Sequence, residues 1–229
     1  MGWIGQRKEI AMFRIVDDSE CRRYREDCST VLTQVRDMLK YEKDITAQFT
    51  LVGSGARNMV TRNGNGPFDL DYNLEIIKAP KEYWDDLRKL KDTIRNYLDY
   101  ASGLKCFSES QNSTVALTAL LHFNDEPQVE FSFDVAIVTR NSNGTLCRLV
   151  NNKHYFYNGI QGQYTWNEIP NSHNVKEKAD RIKKSGKWLE VRERYVKLKD
   201  IYLSRQDKDH PSFIVYIEAV NQVFNKYFH

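Results

Sequence analysis

One stretch constrains the fold more than any other. In the strand Phe68 to Ile77 the residues alternate through Ile76, with Phe68, Leu70, Tyr72, Leu74 and Ile76 on one side and Asp69, Asp71, Asn73 and Glu75 on the other. Period-two alternation predicts a strand with one face buried. Side chains two apart leave the same face, so Asp69 and Asp71 stand side by side, their Cα atoms roughly 7 Å apart. Two carboxylates facing one way repel unless something positive lies between them. A strand of this kind needs a sheet beneath it and a cation, or a cationic group, above it.

The neighbouring segments supply the rest of such a site. Ile45 to Val52 alternates as a second strand and runs into Gly53-Ser54-Gly55, followed by a short stretch without breakers. A strand that ends in Gly-Ser and opens a short helix offers backbone N–H groups to a phosphate, and Ser54 adds a hydroxyl donor. Arg57 follows one helical turn later and can add charge. Asn63-Gly64-Asn65-Gly66-Pro67 is a turn cluster. Val129 to Val138 is a further strand whose apolar face is Val129, Phe131, Phe133, Val135 and Ile137. Its other face carries Glu130, Ser132, Asp134 and Ala136. A charge among Phe131 to Val138 is costly to bury without a partner, and a metal shared with Asp69 and Asp71 removes that cost. Mg²⁺, or Mn²⁺ in its place, suits a few carboxylates plus substrate phosphates.

Helical periodicity surrounds these strands. Tyr24, Cys28, Val31, Leu32, Val35, Met38 and Leu39 form a stripe after the capping residues at Asp17 to Glu20. Trp84, Leu87, Leu90, Ile94, Tyr97, Leu98 and Ala101 form a second stripe. Thr114 to Phe123 is another strand, joined to the next by Asp125-Glu126-Pro127. After Thr139 the composition shifts to Asn, Gly, Gln and Tyr, then to a basic helical stretch from about Val175 to Leu203 with Gly186 as a candidate break. Pro211 is placed to open a last helix through Tyr227. The expected class is α+β: a small mixed β-sheet core with flanking helices over residues 1–145, then a helical C-terminal half over 146–229 that completes the nucleotide cleft.

Composition excludes little. The 229 residues carry a net charge of +3, too small to argue for nucleic acid from the whole-chain field. The run 175–199 is the local exception, with ten Lys or Arg against four acids; contact with RNA or a triphosphate competes there with a solvated helix face. No apolar run is long enough to span a bilayer and no signal peptide opens the chain, so a cytoplasmic location without membrane contact is expected. Cys21 and Cys28 share a helix face two turns apart, too far for a disulfide, and no Cys or His spacing marks a zinc site; buried, reduced thiols are expected. The run His154-Tyr155-Phe156-Tyr157, with Tyr164 and Trp166, can stack a base or pack a junction, and packing is favoured.

The ordered set resembles the DNA polymerase β-like nucleotidyltransferase superfamily. LVGSGARNMVTRNGNGPFDLDYNLEI (Leu51 to Ile76) looks like its strand, Gly-Ser, helix and Asp-x-Asp segment, and VEFSFDVAIV like the strand of the third carboxylate. WNEIPNSHNV, VRERYVKLKDIYL and HPSFIVYIEAV are similar to segments of the branch that holds oligoadenylate synthase, cyclic GMP-AMP synthase and bacterial cyclic-nucleotide synthases. The resemblance implies that Gly53 and Ser54 hold the triphosphate and that Asp69, Asp71 and Asp134 bind two Mg²⁺. It also implies that Lys199, or else Lys197, reaches the phosphates. The implied activity is transfer of a nucleoside monophosphate from a triphosphate, with ATP the expected donor, to a hydroxyl on a nucleotide, RNA, small molecule or protein. A catalytically silent nucleotide- or RNA-binding module with the same fold is the alternative. The chain is short for the branch, and Lys199-Asp200-Ile201-Tyr202 stands where the basic helix usually ends in tryptophan; acceptor and product stay open.

Overall fold

The computed structural model describes residues 12–122, 128–157, 160–170, 173–205, 207 and 209–228, without the side chains of 153–162 and 173. In chain order the elements are β1 (Phe13–Ile15), α1 (Asp18–Lys43), β2 (Thr46–Val52), α2 (Gly53–Ala56), β3 (Thr61–Asn63), β4 (Phe68–Lys78), α3 (Lys81–Asp85), α4 (Leu87–Gly103), β5 (Gln111–Asn112), β6 (Leu117–His122), β7 (Val129–Arg140), β8 (Leu146–Tyr157), β9 (Ile160–Glu168), α5 (His173–Lys184), α6 (Trp188–Ser204) and α7 (Ser212–Phe228). The class is α+β, as the alternation and the helical stripes require. Two compact units form, one from residues 16–60 and 67–171, the other from 1–15, 61–66 and 172–229. They do not follow a single cut at residue 145. β8 and β9 extend the sheet past that point, and the uninterrupted helical run begins only at His173.

The first unit is built on one mixed sheet in the order β2-β4-β7-β6-β5, with β8 on β7 and β9 on β8. β4 and β7 run parallel; the other pairs are antiparallel. The buried pattern of β4 picks out Phe68, Leu70, Tyr72, Leu74 and Ile76, while Asp69, Asp71, Asn73 and Glu75 take the opposite face. β7 buries Phe131, Phe133, Val135 and Ile137 in the same layer. Packed with them are α1, which buries Tyr24, Cys28, Val31, Leu32, Val35 and Leu39, and α4, which buries Leu90, Ile94 and Leu98. The second stripe is interrupted at Asp86, whose carboxylate accepts from Lys89 N and caps α4.

An aromatic cluster pins β7 in register. Phe131 stacks on Tyr24 with centroids 4.4 Å apart and meets Phe68 edge-on at 5.2 Å. Phe107 meets Phe133 edge-on at 5.1 Å. The Tyr24 hydroxyl donates to Glu130 at the start of β7. Tyr164 is buried and Trp166 packs on Trp84, so these two follow the packing reading. The side chains of the 154–157 run, and the Asp125-Glu126-Pro127 connection, lie outside the described residues.

In the second unit β1 pairs with β3, and α5, α6 and α7 bury Ile182, Val191, Tyr195, Leu198, Val215, Ala219 and Val220. Gly186, at φ +73, separates α5 from α6. Pro211 stands one place before α7, its carbonyl accepting from Ile214 N and Val215 N, and so acts as the cap rather than the first helical residue. Cys21, Cys28 and Cys147 are buried free thiols, but Cys106 is exposed: it follows α4 in a turn at φ 62, beyond the helix stripe. No helix among the described residues is long and apolar enough to cross a membrane.

Phe131 is fully buried at the centre of the cluster. Phe131→Ala should lower unfolding free energy by about 3–5 kcal/mol, the usual cost of deleting a buried ring. Urea denaturation followed by tryptophan fluorescence measures it.

Candidate active site

Register brings the predicted carboxylates together. Asp71 and Asp134 are direct partners across the parallel β4–β7 pair, and Asp69 is the partner of Ser132 one pleat earlier. All three lie on the face away from the aromatic core. On the other side of β4, Asp71 is the partner of Val52, the last residue of β2, so the chain enters Gly53 beside that carboxylate.

Gly53 adopts φ +61, a region that favours glycine. A Cβ placed there would come within 2.1 Å of Asp71 Oδ2. The sequence reading assigned this glycine to phosphate approach; the structure adds that its bare Cα is what lets the Asp71 carboxylate lie against the turn. The helix it opens, α2, is only four residues long. A phosphate at this turn would therefore meet individual N–H groups and the Ser54 hydroxyl rather than a helix dipole. Two features missed in the sequence hold the turn. Arg25 on α1 donates through Nη2 to the Gly55 carbonyl at 2.8 Å, and Met59 N donates to the Ser54 carbonyl at 3.0 Å. Gly55 packs tightly on Leu51 and Leu70, whose methyl groups would have to shift to admit a Cβ.

The electrostatics suit a cation in chemistry. Burial, with the charges of Asp69 and Asp134 beside it, pushes the Asp71 carboxyl up to about 6; Arg57 and Arg148 pull it the other way. Burial also raises Asp134, opposed by Thr118 on β6, whose hydroxyl donates to Asp134 Oδ1 at 2.5 Å. Thr118 and Arg148 were not singled out in the sequence, because only the pairing of β6 and β8 with β7 puts them on this face.

Among the described residues no three Asp, Glu, His or Cys side chains close into a metal cage. Mg²⁺ needs no closed protein cage, since it keeps waters and is completed by substrate phosphates. Half-buried Asp71 and Asp134, both with raised proton affinity, and the exposed Asp69 beside them are a donor set that fits a hard divalent cation.

Lys197 and Lys199 belong to the other unit and leave α6 in different directions. Lys199 Nζ donates to Thr61 Oγ1 at 2.9 Å and sits 4.4 Å from the centre of the Phe13 ring. Lys197 is exposed and lines a cavity of about 320 Å³ with Glu193, Arg194 and Gln222.

A raised carboxyl makes a testable contribution to stability. The unfolded chain loses the Asp71 proton near 3.8 and the folded chain near 6, so between those values the folded state binds more protons and stability falls as pH rises. Asp71→Asn removes that penalty. Without added divalent cation, the variant should melt higher than the parent at pH 7.5, and the gap should close as pH falls through 6 towards 4. Scanning calorimetry at both pH values checks it. Gly53→Ala should instead melt lower, through its strained φ and the clash with Asp71.

No protein-family model and no curated relative matches the sequence. Solved structures do. The chain is similar to CdnC of E. coli MS115-1, solved with ATP, at TM-score 0.56 and 18% identity, over 93% of this chain and 62% of that one. It is similar to the di-nucleotide cyclase DncV of Vibrio cholerae, solved as a mutant with ATP and GTP among its ligands, at TM-score 0.62 and 12% identity, over 94% of this chain and 70% of that one. A second DncV structure, holding the linear intermediate 5′ pppA(3′,5′)pG, matches at TM-score 0.57 and 10% identity over the same shares. The chain thus spans about 62% of the length of CdnC. With paired carboxylates on adjacent parallel strands and a Gly-Ser turn at their edge, the chain shares the α+β fold of CdnC and of the di-nucleotide cyclase DncV.

Proposed function

We propose that this chain is a nucleotidyltransferase that moves a nucleoside monophosphate from a nucleoside triphosphate, ATP by expectation, to a hydroxyl acceptor and releases pyrophosphate. The observation that carries this reading is the register of Asp71 on Asp134 beside the Gly53–Ser54 turn. The fold shared with CdnC, solved with ATP, and with DncV, solved with a linear dinucleotide intermediate, supports it.

Asp69, Asp71 and Asp134 would hold Mg²⁺ or Mn²⁺, which when bound neutralises phosphate charge and acidifies an attacking hydroxyl. The chain's own groups account for the rest. Gly53 and Ser54 N–H groups, with the Ser54 hydroxyl, hold the β- and γ-phosphates, and Arg57 adds positive charge nearby. The acceptor oxygen forms a bond to the α-phosphorus as the bond to the bridging oxygen breaks and pyrophosphate leaves in line with it. Thr118 occupies Asp134 Oδ1, which leaves Oδ2 to take the hydroxyl proton. Lys199, or Lys197, is proposed to contact the triphosphate tail.

Asp134→Asn keeps the side chain's shape and removes its charge. Turnover, read as pyrophosphate release with Mg²⁺ across a panel of nucleotide, RNA and small hydroxyl acceptors, should fall by several powers of ten. ATP affinity should persist, and Ser54→Ala should cost about 1 kcal/mol of it. A parent that binds ATP yet never releases pyrophosphate points to the silent binding module, and an Asp134→Asn variant with parental turnover refutes the mechanism.

A further inference from the structure

Arg148 on β8 is the partner of Val138 on β7, and so stands on the carboxylate face two pleats beyond Asp134. It is half-buried, and its charge reaches Asp71. Among the described residues its buried Nε has no hydrogen-bond partner, a state that guanidinium donors normally avoid. Across β8 its partner on β9 is Asn167, whose Oδ1 accepts from the Thr165 hydroxyl, so the same face continues as a polar surface.

The sheet order says which substrate this arginine faces. Gly53 follows Val52, the partner of Asp71, on the β2 side of β4 and towards the start of that strand. Arg148 lies across β7, towards the ends of β4 and β7. The carboxylates stand between the two. In-line displacement places the attacking oxygen opposite the leaving pyrophosphate. With pyrophosphate on the Gly53–Ser54 turn, the acceptor comes from the side of β7 and β8.

We propose that Arg148 is an acceptor-binding residue whose guanidinium takes a matched pair of hydrogen-bond acceptors on the incoming substrate. This rests on the nucleotidyltransferase reading above. Two chemistries present such a pair: the oxygens of a phosphate, and the O6/N7 edge of guanine. A cationic acceptor is disfavoured on this side by the same charge.

The experiment uses the whole chain loaded with Mg²⁺ and α,β-methylene ATP, which cannot transfer its α-phosphate to release pyrophosphate. Adenosine, AMP, guanosine and GMP are then titrated by calorimetry. The parent should prefer AMP over adenosine if phosphate is the partner, or guanosine over adenosine if the guanine edge is, by about tenfold or more. Arg148→Met should reduce that preference to within about twofold while donor affinity stays at the parental value. Arg148→Lys keeps the charge without the fork, and should lose most of the preference while melting like the parent, which separates recognition from folding. A parent that binds the donor but shows neither preference overturns the role of Arg148 alone. So does a variant that keeps the preference, or one that loses donor affinity instead. A parent that fails to bind the donor sinks the nucleotidyltransferase reading and this inference with it.

Discussion

The parallel pairing of β4 with β7 is the constraint on which everything else in the sheet-containing unit depends. It sets Asp71 opposite Asp134 and Asp69 opposite Ser132. A strand's side chains alternate, so a slip of one residue would drive the carboxylates into the core and expose the aromatic layer. Phe131 against Tyr24 and Phe68, and Phe133 against Phe107, resist such a slip. The hydrophobic face holds in place an opposite face that is electrostatically unfavourable by itself. That division of labour lets three acids share one surface.

The turn after β2 is not a separate device from those acids. Gly53 and Asp71 occupy adjoining space, so the group proposed to meet phosphate and a proposed metal ligand move together. Arg25 ties the same turn to α1, and Met59 closes it on Ser54. Positive charge from Arg57 and Arg148 partly offsets the repulsion at Asp71. The site is thus held by its neighbours in the sheet and by one helix, within a single compact unit.

The basic run 175–199 looks different once its partners are known. Lys178 donates to Asn221, and Arg194 pairs with Gln222. Lys183 lies over Trp188, Lys187 over Tyr227, and Lys199 over Phe13 while it donates to Thr61. Much of the charge counted in the sequence is used inside the helical unit, on aromatic faces and amide oxygens. Half of it, Lys176, Arg181, Lys183, Lys184 and Lys197, is nonetheless exposed.

The strands that carry Asp69, Asp71 and Asp134 were legible in the sequence because sustained period-two alternation has one structural meaning. Gly53-Ser54 was legible because a glycine at a strand end signals a special backbone conformation. The helices around Leu32, Ile94 and Val220 were legible through their apolar stripes. The short strands β1, β3 and β5 were not, since two or three residues carry no periodicity, and β8 and β9 were masked by their polar composition. Thr118, Arg148 and Arg25 could not be chosen from sequence either: each is an ordinary polar residue whose role comes from a neighbour distant along the chain. The sequence by itself determined which residues face which way along each strand, because side-chain direction is a local property. Only the tertiary structure decided which strands lie side by side, and therefore which charges meet, because pairing is settled by long-range packing of the buried face.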